Sequence, residues 1–356
     1  MKLLIISNMY PSKKDPVYGT FVQSFVENIS NLNKEGKTDT IVLRGRDGNF
    51  VWKICKYLRF YTAILITLLL HKYDIVYVHT ITYPIIPLRI VSFFKDLPLI
   101  FNVHGGDVLT RSKTAERLKD LAVPLLQKAK LIISPSHYFR DILLREFPFL
   151  KNEDIFVSPS GGVDSSFFVK EERKDNDIFG IGYVSRIDEA KGWDTFLRAL
   201  AILNEKGIAF HATIAGRGAQ CSEMQQLIEE LSLLPHVKYI GPVPYKELPN
   251  VFSTFDLFVF PTCLEESLGL VGLEAMACGV PVAGSKIGGL HDYIVHGYNG
   301  YFFPPGNESD LADIIEEYVK LDREQKKHFQ NNARNTALKY NAKTVNKDLF
   351  KKILTV

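Results

Sequence analysis

Apolar residues in this chain fall into short, nearly unbroken runs separated by amphipathic stretches. KLLIIS, DTIVL, DIVYVH, PLIFNV, KLIIS and DIFVS occupy the first 158 residues. The segments near 20–33, 51–71, 84–94, 114–129 and 136–147 between them carry a helical period. Around SPSGGVDSSFFVKEERKDND the pattern stops. It restarts with IFGIGYVS, FHATIAG, VKYIG, DLFVF, VPVAG and GYFF, and helices are predicted near 192–206, 221–234, 244–254, 269–278, 289–296 and 307–321. Strands without polar alternation, each followed by a helix, predict parallel sheets covered on both faces. The fold class expected is therefore α/β, with two doubly wound Rossmann-like domains. Their boundaries are predicted at 1–163 and 178–340, joined by a polar linker at 164–177, with a final helix within 341–356. Such sheets bind ligands outside the carboxyl ends of their strands, and two of them facing each other leave a cleft.

Composition narrows the class. With 46% hydrophobic residues and 23% charged ones the chain is an ordinary globular protein, long enough for two cores. The net charge of +3 conceals an asymmetry, because residues 1–163 carry 22 Lys and Arg against 14 Asp and Glu. A basic first half suits an anionic partner or surface, or is simply solvated. Cys55, Cys221, Cys263 and Cys278 show no metal-binding spacing, as expected of a reduced, cytoplasmic protein. MKLLIISNMYPS reads as a first strand rather than a secretion signal. The longest uncharged run, FYTAILITLLL, has 11 residues, too few for a bilayer span.

Candidate chemistry clusters after the strands. EESLGLVGLEAMACG places Glu266 in a loop ahead of a helix and Glu274 about one and a half turns inside it. N–H groups from Ser267 through Leu268 and Gly269 to Leu270 would be orphan donors that favour an anion. The two carboxylates can accept from hydroxyls, so the set suits a ligand that is part phosphate and part sugar. In YVSRIDEAKGWDTFLRAL, Arg186 and Lys191 flank a loop entering a helix, a place for cations that neutralise a diphosphate. In NVHGGDV, His104 and Asp107 bracket two glycines that let a ligand approach the backbone. In the long first loop, Gly19 precedes a helix and either admits phosphate or makes a turn.

Other patterns carry less. IAGRGAQC imitates a dinucleotide fingerprint, but Cys221 replaces the third glycine and no acid follows the next strand. DND at 175–177 sits in the charged linker, so no metal is expected there. Basic clusters lack the interleaved aromatics that nucleic acid requires. In VWKICKYLRFYTAIL, Val51, Ile54, Leu58, Tyr61 and Leu65 form one apolar stripe beside Lys53, Lys56 and Arg59, with Trp52 and Tyr57 as interfacial aromatics. A helix covering a sheet and a helix lying on an anionic membrane both need this pattern.

Taken together, these motifs resemble the family-4 glycosyltransferases, retaining enzymes of the GT-B fold. The likeness spans essentially the whole chain and is strongest over 178–306, where SRIDEAKG, the Glu266/Glu274 unit, LEAMACGVPV, KIGGLHDYI and GYNGYFFPPGN follow in order. The resemblance implies that Arg186 and Lys191 hold the donor diphosphate and that Glu266, with backbone around Ser267–Leu270, binds the transferred sugar. It further implies that Glu274 holds the ribose diol, that His104 contacts the sugar from the N-terminal domain, and that the last helix packs back on that domain. Two features depart from the family: Thr20 stands where many members have a second glycine after Gly19, and PSGGVD replaces Pro-Asn-Gly-Val-Asp.

The activity implied is metal-independent transfer of a hexose, with retention, from a UDP-sugar to a glycan or lipid-linked hydroxyl acceptor. Surface polysaccharide, lipopolysaccharide or glycolipid assembly at the inner face of a membrane would use it. The competing readings are a nucleotide-sugar epimerase of the same architecture and a non-catalytic nucleotide-sugar-binding protein.

Overall fold

A computed structural model describes residues 1–15, 18–45, 50–110, 112–164 and 178–356. Beyond Asp164 the expected linker, with its DND run, lies outside the described residues. Two compact units form, one from Met1–Gly162 with Lys343–Val356 and the other from Val163–Ala342.

The first unit alternates β1 (Lys2–Tyr10), α1 (Thr20–Leu32), β2 (Lys37–Arg44), α2 (Phe50–Leu70), β3 (Ile75–His79), α3 (Ile85–Val91), β4 (Leu99–Asn102), α4 (Lys113–Leu126), β5 (Leu131–Ser134), α5 (His137–Glu146) and β6 (Ile155–Val157). Its sheet runs β2-β1-β3-β4-β5-β6, parallel at every pair. Successive side chains point to opposite faces. Leu4, Ile6, Val76 and Val78 enter one core, whereas Leu3, Ile5, Ile75 and Tyr77 enter the other. Both faces are buried, which explains the lack of polar alternation in these strands.

The second unit alternates β7 (Phe179–Val184), α6 (Trp193–Glu205), β8 (Phe210–Ala215), α7 (Cys221–Glu230), β9 (Val237–Gly241), α8 (Leu248–Phe252), β10 (Leu257–Phe260), α9 (Leu270–Ala277), β11 (Val282–Ser285), β12 (Gly300–Phe303), α10 (Glu308–Lys320) and α11 (Arg323–Lys339). Its parallel sheet runs β12-β11-β10-β7-β8-β9. Neighbouring strands β7 and β10 mark where the strand order reverses, the place where loops diverge and leave room for a ligand. The last helix, α12 (Ala342–Leu354), supplies Leu349 and Ile353 to the first unit's core, and Asn346 Nδ2 donates to Gly161 O at 3.0 Å.

Every strand expected from the apolar runs is present. The helices differ in three places. The segment near 289–296 is a 3-10 turn at Gly288–Asp292, its two glycines packed tightly against Glu266–Leu268. Helix α11 was not expected, since it offers the core only a narrow stripe of Phe329, Asn332, Ala333, Thr336 and Ala337. The 51–65 stripe shares one face of α2 but divides along its length: Tyr61 and Leu65 pack on the core, whereas Val51, Ile54 and Leu58 are exposed. The buried face instead follows Phe60, Ile64 and Leu68.

Gly192 shows how tightly the switch point is built. Its φ is +72°, and a Cβ there would lie 1.8 Å from Pro261 O at the end of β10. Gly207 has a similar φ, +69°, with nothing within 4 Å. Left-handed backbone alone costs an L side chain about 1–2 kcal/mol. Gly207→Ala should therefore lose about that much in urea unfolding, and Gly192→Ala distinctly more.

Candidate functional site

The loop leaving β7 is fixed before any ligand is considered. Buried Tyr183 directs its hydroxyl at the carbonyls of Arg186 and Lys191, 3.3 Å from each. Asp188 Oδ1 accepts from Ala219 N–H at 2.8 Å, and Cys263 N–H donates to Ala190 O at 2.8 Å. Gly216 and Gly218, which imitate a dinucleotide fingerprint, serve this loop too. A Cβ on either would lie 1.8 Å from Ser185 O or 2.1 Å from Ile187 O, so both positions lack a side chain because two loops touch there.

The loop leaving β10 carries Glu266 to the first. Lys191 Nζ lies 2.6 Å from Glu266 Oε1, with the side chains 11% and 18% exposed. Thr262, fully buried, donates its hydroxyl to the same Oε1 at 3.0 Å. Glu266 Oε2 has no partner among the described residues. The glutamate expected to depend on a ligand's hydroxyls thus has an internal cation for one oxygen, and the lysine expected to serve a diphosphate already serves a carboxylate. An ammonium has three donors, so the pairing leaves Lys191 with capacity to spare. Arg186 stays more open: its guanidinium, 63% exposed, lies 2.6 Å from Asp188 Oδ2.

The glycine pair of KIGGLHDYI acts on this same loop, a role that motif order alone did not disclose. Gly289 N–H donates to Glu266 O at 2.7 Å, and a Cβ at Gly288 or Gly289 would strike the backbone of Glu266 or Ser267–Leu268. Downstream, Tyr293 Oη donates to Gly269 O at 3.0 Å and holds the start of α9. Gly269 caps that helix with φ +81°. Leu268 is buried in the core, so only its backbone can address a ligand. Asn299 of GYNGYFFPPGN is structural, donating to Tyr293 O and Thr336 Oγ1.

Glu274 lies on α9, and burial raises its carboxyl pKa to about 7, against the opposing pull of a hydrogen bond from Tyr245. Tyr245 went unnoticed in the sequence, where an aromatic in PVPYKEL suggests nothing. In the first unit, Asp107 accepts from His104 N–H at 2.9 Å and from Ile81 N–H at 3.0 Å, which shapes the loop after β4. His104 Nε2 meets His79 Nδ1 at 3.0 Å with the rings stacked 5.2 Å apart. Burial lowers the His104 pKa to about 4, so its imidazole is neutral at physiological pH. Gly19 caps α1 with φ +74°, and a Cβ would sit 2.6 Å from the Met9 carbonyl carbon, so packing on β1 already requires a glycine there.

The structure therefore brings Lys191, Glu266 and the Ser267–Leu270 backbone together around one switch point. Arg186 lies on the same loop as Lys191, and Glu274 on the helix that follows. Gly19 and His104 belong to the other unit.

Two family profiles match the chain: Glycosyl transferases group 1 over residues 164–336 and Glycosyltransferase Family 4 over residues 25–165. A D-inositol 3-phosphate glycosyltransferase of Paenarthrobacter aurescens is 34% identical over 194 residues, 51% of this chain and 45% of that protein. The amylovoran biosynthesis glycosyltransferase AmsK of Erwinia amylovora is 27% identical over 217 residues, 60% of this chain and 53% of its own length. The matched stretch thus spans about half of these curated relatives. Among solved structures, Anabaena HepE in complex with UDP covers 100% of both chains at 22% identity with a TM-score of 0.79, a likeness of fold.

Burial of Glu274 has a consequence for stability. Its folded pKa is raised, so the unfolded chain gives up this proton at lower pH than the folded one. Stability from this group is full in acid and is lost as pH rises from the ordinary carboxylate range through about 7. Glu274→Gln should remove that loss, so its unfolding free energy relative to the parent should grow with pH over the same window, as measured by urea melts.

Proposed function

The chain belongs to the family-4 glycosyltransferases, and from that premise we propose that it moves a hexose from a nucleoside-diphosphate sugar to a hydroxyl acceptor with retention at the anomeric carbon. The observation that carries the reading is the Lys191–Glu266 pair at the β7/β10 switch point, with one carboxylate oxygen unpartnered among the described residues.

In this reading Lys191 turns its remaining N–H groups to the diphosphate while still bonded to Glu266, and Arg186 exchanges Asp188 for a phosphate oxygen. Glu266 Oε2 accepts from a hydroxyl of the transferred sugar, which places the sugar beside the cation that balances its leaving group. Backbone N–H groups at Ser267–Leu270 lie at the start of α9, where the helix dipole favours negative charge. Glu274 accepts from the ribose diol. In the first unit, His104 offers a neutral imidazole to a substrate hydroxyl, and Gly19 leaves the start of α1 open to phosphate. As the bond from anomeric carbon to phosphate oxygen breaks, charge grows on the diphosphate. These fixed cations and dipoles stabilise it, and in enzymes such stabilisation commonly lowers the barrier more than any other effect. The acceptor oxygen attacks from the same face, and its proton passes to the departing phosphate oxygen. The cations and amides supply the charge stabilisation that a metal ion would otherwise give, so no metal is required.

UDP is the carrier favoured, since HepE, of like fold, is solved with UDP. A glycan or lipid-linked acceptor, as in surface polysaccharide assembly, suits the basic first half of the chain and the similarity to AmsK.

A panel of UDP-, GDP- and ADP-sugars read by thermal shift tests the donor. A bound ligand at 100 times its Kd adds about 2.7 kcal/mol of stability. UDP-sugars should raise Tm, and silence across all three classes overturns the reading. Lys191→Ala should cut transfer at least roughly a hundredfold and, because it strands the Glu266 carboxylate, should also lower the unfolding midpoint while far-UV circular dichroism still shows a folded chain. Conversion of donor without acceptor would instead point to an epimerase, and binding without turnover to a sensor.

A further inference from the structure

Helix α2 is apolar on two sides. Phe60, Ile64 and Leu68 face the core, as a sheet-covering helix requires. On the outside, Val51 and Trp52 are each 65% exposed, Leu58 60%, Ile66 52% and Leu69 50%. Nothing in the packing of the sheet calls for this second stripe. Exposed single apolar residues are ordinary, but a contiguous set marks an interaction surface.

The surface continues onto the neighbouring helix. Tyr57 of α2 meets Tyr83, just ahead of α3, with ring centroids 6.0 Å apart. Ile86 and Ile90, one turn apart on α3, are also exposed, and the turn that ends this helix presents Phe93 and Phe94 at 70% and 74%. From Phe50 to Lys95 the chain carries Lys53, Lys56, Arg59, Lys72, Arg89 and Lys95 against a single acid, Asp74, which accepts from the backbone N–H of Lys2. On the helical wheel of α2, Arg59 lies beside the exposed apolar stripe, on the side away from the core, whereas half-buried Lys56 donates to Arg44 O. Apolar and aromatic side chains flanked by cations, with almost no acid, match an interface between acyl chains and anionic headgroups.

We propose that the outer face of α2, together with Ile86, Ile90, Phe93 and Phe94, is a docking surface for an anionic lipid bilayer. Trp52, Leu58, Phe93 and Phe94 enter the headgroup–acyl boundary, and Arg59 and Arg89, the latter stacked on the Phe93 ring, meet the lipid phosphates. No helix among the described residues is long and apolar enough to cross a membrane, so the contact lies along the surface. The inference stands on the first unit alone and survives whatever becomes of the donor reading.

The chain contains a reporter for this contact. It has two tryptophans, Trp52 at the proposed surface and Trp193, 8% exposed with Nε1 donating to Gln220. The full chain is titrated with vesicles of phosphatidylcholine, with and without phosphatidylglycerol. With the anionic vesicles, Trp52 emission should shift to the blue and be quenched by brominated acyl chains, and Trp52→Phe should remove both signals. Arg59→Ala with Arg89→Ala should lower the partition constant roughly thirtyfold, and Leu58→Asp with Phe93→Asp should abolish partition while circular dichroism stays unchanged. The proposal is overturned if no blue shift appears, if neutral vesicles bind equally well, or if Trp52 is already shielded in a self-associated form seen by sedimentation.

Discussion

The second unit is organised around a partly buried ion pair. A lysine and a glutamate with little solvent around them cost desolvation energy, and their attraction offsets it only with good geometry and further hydrogen bonds. Both conditions are met: Nζ to Oε1 is 2.6 Å, and Thr262 adds a second donor to the same oxygen. The loops reach this geometry because side chains are missing where backbones meet. Gly192 lies under Pro261, and Gly288 and Gly289 lie against Glu266–Leu268. Each of these glycines is a condition for the pair, and the pair ties the end of β7 to the end of β10.

Preorganisation of this kind also explains why so little of the site is free to move. Tyr183 and Tyr293 are deeply buried phenols that act on carbonyls in the two loops, so the backbone around Lys191 and Gly269 is set from beneath. What remains adjustable are the ends of long side chains, Arg186 above all. A site of this type binds an anion by small rotations of cations on a fixed frame, at low cost in ordering.

Much of the fold was legible in the sequence because parallel strands buried on both faces cannot hide their apolar runs. Helix α11 was not, since five buried positions among seventeen residues, two of them Asn332 and Thr336, give too faint a period. The site was legible as a set of residue types: Lys191 and Glu266 were both singled out. Their contact was not, because 75 residues separate them and only the sheet order makes their loops neighbours. Tyr245 was invisible for a similar reason, being defined by Glu274, which the sequence places on another element. The stripe in α2 was legible as one face, but which part of it is buried was not, because a single periodicity cannot rank it against the adjacent line of Phe60, Ile64 and Leu68.

One detail of the first unit reaches further than its size. His79 Nδ1 and His104 Nε2 share a single proton between them, and His79 Nε2 is buried without a partner among the described residues. A buried N–H left without an acceptor is rarer in folded proteins than a bare lone pair. The proton therefore belongs to His79 Nδ1, and His104 must carry its own on Nδ1. The deeper ring thus selects the tautomer of the shallower one and leaves it a donor, so an alcohol meeting that nitrogen is met as a lone pair rather than as a hydroxyl hydrogen.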